Sequence, residues 1–179
     1  ISSRQHRRGP LRVDWLDSDS TRPGALGLTI LPGRRDIGRS LSADLDNLQT
    51  AGVDHVVCLL SDEELSRYGT SDLLRAYEQR GFSVQQLPIV DQRVPSEEEM
   101  SALVENLSAR LWAGQRIMVH CVGGLGRSGT VAACLLVKRG YRVDEALQQV
   151  RAARSPRAVE TRLQEQFVAA FERFVTNTP

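Results

Sequence analysis

The stretch H-C-V-G-G-L-G-R-S (120–128) places a cysteine, three glycines, an arginine and a serine in one short run. Glycines admit positive φ and close backbone approach, so the amides of Val122, Gly123, Gly124, Leu125 and Gly126 can turn inward as an anion nest. A helix starting near Arg127 adds its positive end. Arg127 itself supplies a planar fork that fits two phosphate oxygens. Together these features would bind a phosphate dianion, and they favour the thiolate form of Cys121 at the base of the cradle. That thiolate would point at the phosphorus of a bound monoester. Ser128 would donate a hydrogen bond to it and help it leave later. His120 is assigned to orienting the loop through backbone groups, because attack by a thiolate needs no base.

A blander account exists for each part. A cysteine at a strand end is commonly a small buried hydrophobe, and glycine clusters are common turns. A nucleotide-binding P-loop fails, since no G-x-x-x-x-G-K-[ST] can be laid on the segment. The joint occurrence of strand, His-Cys, glycines, Arg and Ser decides for chemistry.

The elements that must position this loop are legible in outline. R-I-M-V-H (116–120) reads as a strand delivering Cys121, and T-V-A-A-C-L-L-V-K-R (130–139) as a buried, nearly all-apolar helix that keeps Cys134 in the core. Strands are expected at 26–33, 55–60 and 82–89. Helices are expected at 40–51, at 70–80 with Thr70 or Ser71 as N-cap, from the Ser96 cap with its acidic first turn, over 144–154, and near 160–175. This alternation predicts an α/β domain with a central, mainly parallel twisted sheet and helices on both faces. Ligands in such sheets bind beyond the carboxyl ends of strands, where the loop sits. Residues 1–25 are polar and turn-rich apart from R-V-D-W-L, and read as a partly ordered arm or a short β element; 26–179 form the predicted catalytic domain.

Composition limits the remaining classes. A chain of 179 residues with net charge +1 fits one compact domain and shows no general electrostatic affinity for nucleic acid or membrane. Of its 23 basic residues only Lys138 is lysine, a bias expected of a GC-rich, bacterial genome. No apolar run approaches a membrane span. The N-terminus has neither an initiator Met nor a signal-peptide core, so the chain is read as trimmed. Three cysteines without a secretion signal argue for a reducing, cytoplasmic setting. His6, His55 and His120 show no paired metal-ligand spacing, and neither metal nor cofactor is expected.

H-C-x5-R-S is the signature of cysteine-dependent protein phosphatases, and residues 120–128 are similar to it at every defining position. L-G-L-T-I-L-P-G-R-R-D, V-V-C-L-L-S-D-E-E-L-S-R-Y, L-P-I-V-D-Q-R-V-P and G-G-L-G-R-S-G-T-V-A-A-C-L-L resemble the cyclin-dependent-kinase-associated group of the dual-specificity phosphatases. The resemblance runs from about residue 12 to 175, and it implies the protein tyrosine phosphatase fold. It also places the general acid. The leaving oxygen needs a proton, and Asp91 in P-I-V-D-Q-R-V-P matches the family's acid loop. Arg93 in the same loop is read as a solvated charge. Gln164 in A-V-E-T-R-L-Q matches a glutamine of the segment packing under the loop. In some relatives a cysteine at the position of Cys58 forms a reversible disulfide with the nucleophile; packing in a buried strand accounts for Cys58 equally well.

The expected activity is hydrolysis of phosphotyrosine or phosphoserine/threonine through a phosphocysteine, by a monomer acting on a phosphorylated protein, a kinase among the candidates. A polyphosphate or phosphoinositide phosphatase, an RNA triphosphatase and an inactive phosphoprotein-binding scaffold are the alternatives. The uncharged interior V-G-G-L-G favours a substrate with one phosphate. Small arsenate reductases carry their C-x5-R loop near the N-terminus, unlike this chain.

Overall fold

A computed structural model of the chain describes residues 9–177. Residues 1–8, His6 and the first part of the expected arm among them, and the last two residues lie outside the described residues. The elements run β1 (Asp14–Trp15), α1 (Ser18–Thr21), β2 (Ala25–Thr29), a 3-10 turn (Arg35–Ile37), α2 (Leu41–Thr50), β3 (His55–Cys58), α3 (Asp62–Arg67), α4 (Leu73–Gln79), β4 (Ser83–Gln86), α5 (Glu97–Trp112), β5 (Arg116–His120), α6 (Gly126–Lys138), α7 (Val143–Ala153) and α8 (Arg162–Asn177). The sheet order is β1-β2-β5-β3-β4, with β1 antiparallel to β2 and the remaining pairs parallel. This is the α/β sheet flanked by helices that the alternation predicts.

Register sets the site. Thr29 of β2 and Cys58 of β3 both lie opposite His120 of β5, so three carboxyl ends finish level and the chain leaves the middle one as the loop at 121–125. Ile117, Met118 and Val119 are fully buried, as a central parallel strand requires. Helix α6 is buried from Gly126 through Val137 and packs against α5, α7 and α8. An apolar helix enclosed in this way holds its N-terminus still, and that N-terminus carries Arg127.

Local signals account for most boundaries. Ser96 and Glu99 form a reciprocal capping box at α5, with Ser96 Oγ accepting from the Glu99 amide at 3.1 Å and the Glu99 carboxylate accepting from the Ser96 amide at 3.0 Å. Ser40 caps α2 from one side only, its Oγ accepting from the Ala43 amide at 3.2 Å. One expectation needs correction. The helix expected at 70–80 begins only at Leu73, because the Thr70 hydroxyl is spent on the Leu65 carbonyl at 2.8 Å, closing the preceding helix. The apolar run at 130–139 is the body of a helix that begins at Gly126, in line with the start expected near Arg127, so Arg127 and Ser128 lie in its first turn. At the N-terminal side, Leu11 and Leu16 belong to the core and β1 forms the edge of the sheet. No described helix is long and apolar enough to cross a membrane.

Candidate active site

Cys121 leaves β5 buried, with 3% of its surface exposed, and its Sγ accepts a hydrogen bond from the Gly124 amide at 3.2 Å. The loop folds back on the thiol because Gly124 adopts φ +66. A Cβ at that position would lie 2.4 Å from the Thr29 carbonyl oxygen, so only glycine fits between loop and strand.

The carbonyls of the loop are all engaged on its outer side. His120 Nδ1 meets the Cys121 carbonyl at 3.1 Å. The Val122 carbonyl accepts from the Leu31 amide at 2.9 Å and from Arg34 at 3.4 Å. Arg154 donates to the carbonyls of Gly123 at 2.9 Å and Gly124 at 3.0 Å. The Leu125 carbonyl takes the amides of Gly129 and Val159, both at 3.1 Å. In a planar trans peptide the N–H points opposite to the preceding C=O. Outward carbonyls therefore turn the amides of Val122 through Gly126 the other way, which is the nest expected from the glycines.

Arg127 closes the cradle. Its Nη1 donates to both Glu64 carboxylate oxygens at 2.8 and 3.1 Å and to the Ile89 carbonyl at 2.9 Å. Its Nε and Nη2 make no hydrogen bond among the described residues, and Nη2 carries only an ion pair with Asp91 at 3.5 Å. One edge of the guanidinium is thus anchored, and the other is left for two oxygens of a ligand. Burial works against the Arg127 charge, but Glu64, Cys121 and Asp91 outweigh it and hold the group above its ordinary value.

His120 is fully buried, and burial pulls its imidazole down to about 4, with the Cys121 carbonyl opposing and Arg127 assisting. A neutral ring donates Nδ1–H to that carbonyl, which is the orienting part expected of it. Asp91 lies in the connection after β4 with its side chain 69% exposed. The loop around it is tied down at three points: the Ile89 carbonyl to Arg127, the Gln92 carbonyl to the Thr161 hydroxyl at 3.4 Å, and the Arg93 carbonyl to Gln164 Nε2 at 3.4 Å. Gln164 is fully buried, and its Oε1 accepts from the amides of Glu160 and Thr161 at 3.0 and 3.2 Å. It sits against Gly126, so it spans the acid loop and the helix start.

One expected contact is not made: Ser128 Oγ is buried without a hydrogen-bond partner, and the Gly124 amide contacts the sulfur in its place. Cys58 and Cys121 are both free thiols in this structure. Cys58 faces the Leu60 carbonyl at 3.9 Å, and burial pushes its thiol up to about 12. No group of His, Cys, Asp and Glu among the described residues is arranged to hold a metal ion.

With this geometry in hand, the comparisons are specific. The family model for cyclin-dependent kinase inhibitor 3 (CDKN3) matches residues 3–148. The chain belongs to that family. Cyclin-dependent kinase inhibitor 3 of Homo sapiens is 30% identical over 167 residues, 90% of this chain and 79% of its own length. The Rattus norvegicus protein is 31% identical over the same extent. Among solved structures, kinase associated phosphatase with its catalytic-site cysteine replaced by serine has a TM-score of 0.89 at 28% identity, covering 96% of this chain and 99% of its own. Tk-PTP in its active form has a TM-score of 0.72 at 33% identity, covering 90% and 96%. The resemblance to the kinase-associated dual-specificity phosphatases holds across sequence and fold.

The sequence reading missed three residues that the fold brings to this site: Glu64, Arg154 and Arg34. Glu64 had a partial signal, because S-D-E-E at 61–64 reads as a cap, and Ser61 Oγ does accept from the Glu64 amide at 3.2 Å. Nothing local tied its carboxylate to Arg127. The two arginines were hidden among many others.

Proposed function

We propose that this member of the CDKN3 family is a protein phosphatase that works through a phosphocysteine on Cys121. The observation that carries the reading is the loop itself: a buried sulfur facing inward-turned amides and the free edge of Arg127. The thiolate attacks phosphorus, an S–P bond forms, and the bond to the leaving oxygen breaks as Asp91 delivers its proton. Water then attacks phosphorus and gives its proton to the Asp91 carboxylate. The S–P bond breaks, phosphate leaves, and the thiolate and the acid are both restored. Loop amides and Arg127 hold the equatorial oxygens through both steps. His120 and Gln164 keep the loop and the acid segment in place, and Ser128, with its hydroxyl uncommitted, is the donor available to the departing thiolate.

No basic side chain lies within V-G-G-L-G, which supports a substrate with one phosphate, on tyrosine or on serine and threonine. The names of the relatives point to a phosphorylated kinase as the substrate protein. The reading takes the protein as a cytoplasmic monomer whose catalytic domain, expected over residues 26–179, also takes in β1 and the core residues Leu11 and Leu16. No step calls on a metal or an organic cofactor.

Wild type should turn over para-nitrophenyl phosphate, with activity unchanged by a chelator. Cys121→Ser should abolish turnover and still retain a phosphopeptide. Intact phosphopeptide binding by a wild type without hydrolysis would identify a binding scaffold and end the enzyme reading.

A further inference from the structure

Arg154 caps the C-terminal end of α7 and is nearly enclosed, with its side chain 5% exposed. Its Nε and Nη2 form a fork on two successive carbonyls, Gly124 at 3.0 Å and Gly123 at 2.9 Å. Nη1 faces the carboxylate of Asp14, itself 3% exposed, at 3.4 Å. Asp14 belongs to β1, where it also takes Arg12 Nε at 2.7 Å. A buried guanidinium is costly unless paired and hydrogen-bonded. Here the pairing comes from the N-terminal strand and the hydrogen bonds from the loop.

The two carbonyls are not incidental acceptors. Fixing the oxygens of Gly123 and Gly124 outward fixes the N–H groups of Gly124 and Leu125 inward, because each peptide unit turns as a rigid plane. The first of those amides is the one that touches Cys121 Sγ. We infer that Arg154, held by Asp14 of the N-terminal strand, is a positioning residue that sets the amide face of the phosphate loop. The inference rests on the phosphatase reading, and it makes β1 part of the machinery. Substrate does not reach Arg154, whose fork is spent on the backbone.

Arg154→Lys keeps the charge but loses the planar, rigid fork that holds two successive carbonyls in one geometry. In the full chain, titration calorimetry with inorganic phosphate should show about tenfold weaker binding, the size expected from losing a charge-assisted hydrogen bond. KM for para-nitrophenyl phosphate should rise in proportion, with a smaller fall in kcat. Asp14→Asn should shift both the same way by less. Should Arg154→Lys fail to fold, Asp14→Asn still reads the effect. The double variant should fall short of additivity, because one residue acts through the other. Unchanged phosphate affinity and KM, with only a lower thermal midpoint, would reduce the pair to structural support and overturn the inference. A wild type that binds phosphate without hydrolysing it would fail the phosphatase reading alone, leaving the phosphate titrations to decide this one.

Discussion

The phosphate loop and the acid loop face each other across the same site and are built on opposite terms. The phosphate loop is buried at Cys121, Gly124, Gly126 and Arg127, and its five carbonyls from Cys121 to Leu125 all have partners. The acid loop exposes Val90, Asp91, Gln92 and Arg93; one short buried contact, Arg127 to the Ile89 carbonyl, holds its start, and two contacts of 3.4 Å restrain the rest. Both contain a left-handed residue. In the phosphate loop it is Gly124, pressed against β2; in the acid loop it is Gln92 at φ 64, whose side chain stands in solvent. The contrast fits the roles proposed for the two loops. Stabilising a dianion requires dipoles that do not reorganise, held away from water. Delivering and recovering a proton requires a carboxyl that meets both the leaving group and solvent.

The sharpest way to break the comparison is Gly124→Ala. The added Cβ would strike the Thr29 carbonyl at 2.4 Å, on a backbone already at positive φ. The two effects together should cost about 3 kcal/mol and remove activity, read as a lowered urea midpoint and lost turnover. A stable, active Gly124→Ala protein would show the phosphate loop to be as tolerant as its partner.

Asp91→Ala should act in the opposite manner, leaving stability unchanged. With an alkyl or tyrosyl phosphate the rate should fall by about 10²–10⁴, the usual share of a general acid. With an activated aryl phosphate, whose leaving group needs no proton, the loss should be small. Equal losses on both substrates would remove Asp91 from the acid's place.

A third expected effect, with no loss of catalytic groups, is a pH dependence confined to the buried side. His120 and His55 are held neutral, each pulled to about 4 chiefly by burial. Between that value and the ordinary 6.5 the unfolded chain binds more protons than the folded one, so stability rises with pH and is lost on acidification through this window. By pH 5 each histidine should have withdrawn about 2 kcal/mol. Urea midpoints at pH 7 and pH 5 measure the sum. His55→Asn, remote from the loop, should remove about half of the slope and isolate the share of His120. A midpoint indifferent to pH would mean that the strand under the loop is more open to water than the structure shows.

Legibility followed sequence distance. Cys121, the glycines and Arg127 lie within one turn of chain, and their chemistry is a property of that turn, so their types and spacing sufficed. The parallel sheet was legible because continuous apolar strands alternated with amphipathic helices. Asp91 carries no local mark; the family resemblance singled it out, and the structure places it 3.5 Å from Arg127. Ser128 was legible as a neighbour of the thiol, but not that its hydroxyl would sit buried in the first turn of a helix starting at Gly126 with no hydrogen-bond partner.

By itself the sequence determined the fold class and marked the proposed reactive centre and the anion proposed for it, since each depends on residue type at short range. Only the tertiary structure decided what else holds that centre in shape beside Gln164, which the family resemblance had marked: Glu64 on one edge of Arg127, and Arg154 and Asp14 behind the loop. Each of those contacts joins segments far apart in the chain. Charge and hydrogen-bonding capacity say that a buried arginine must find partners, but packing chooses which ones.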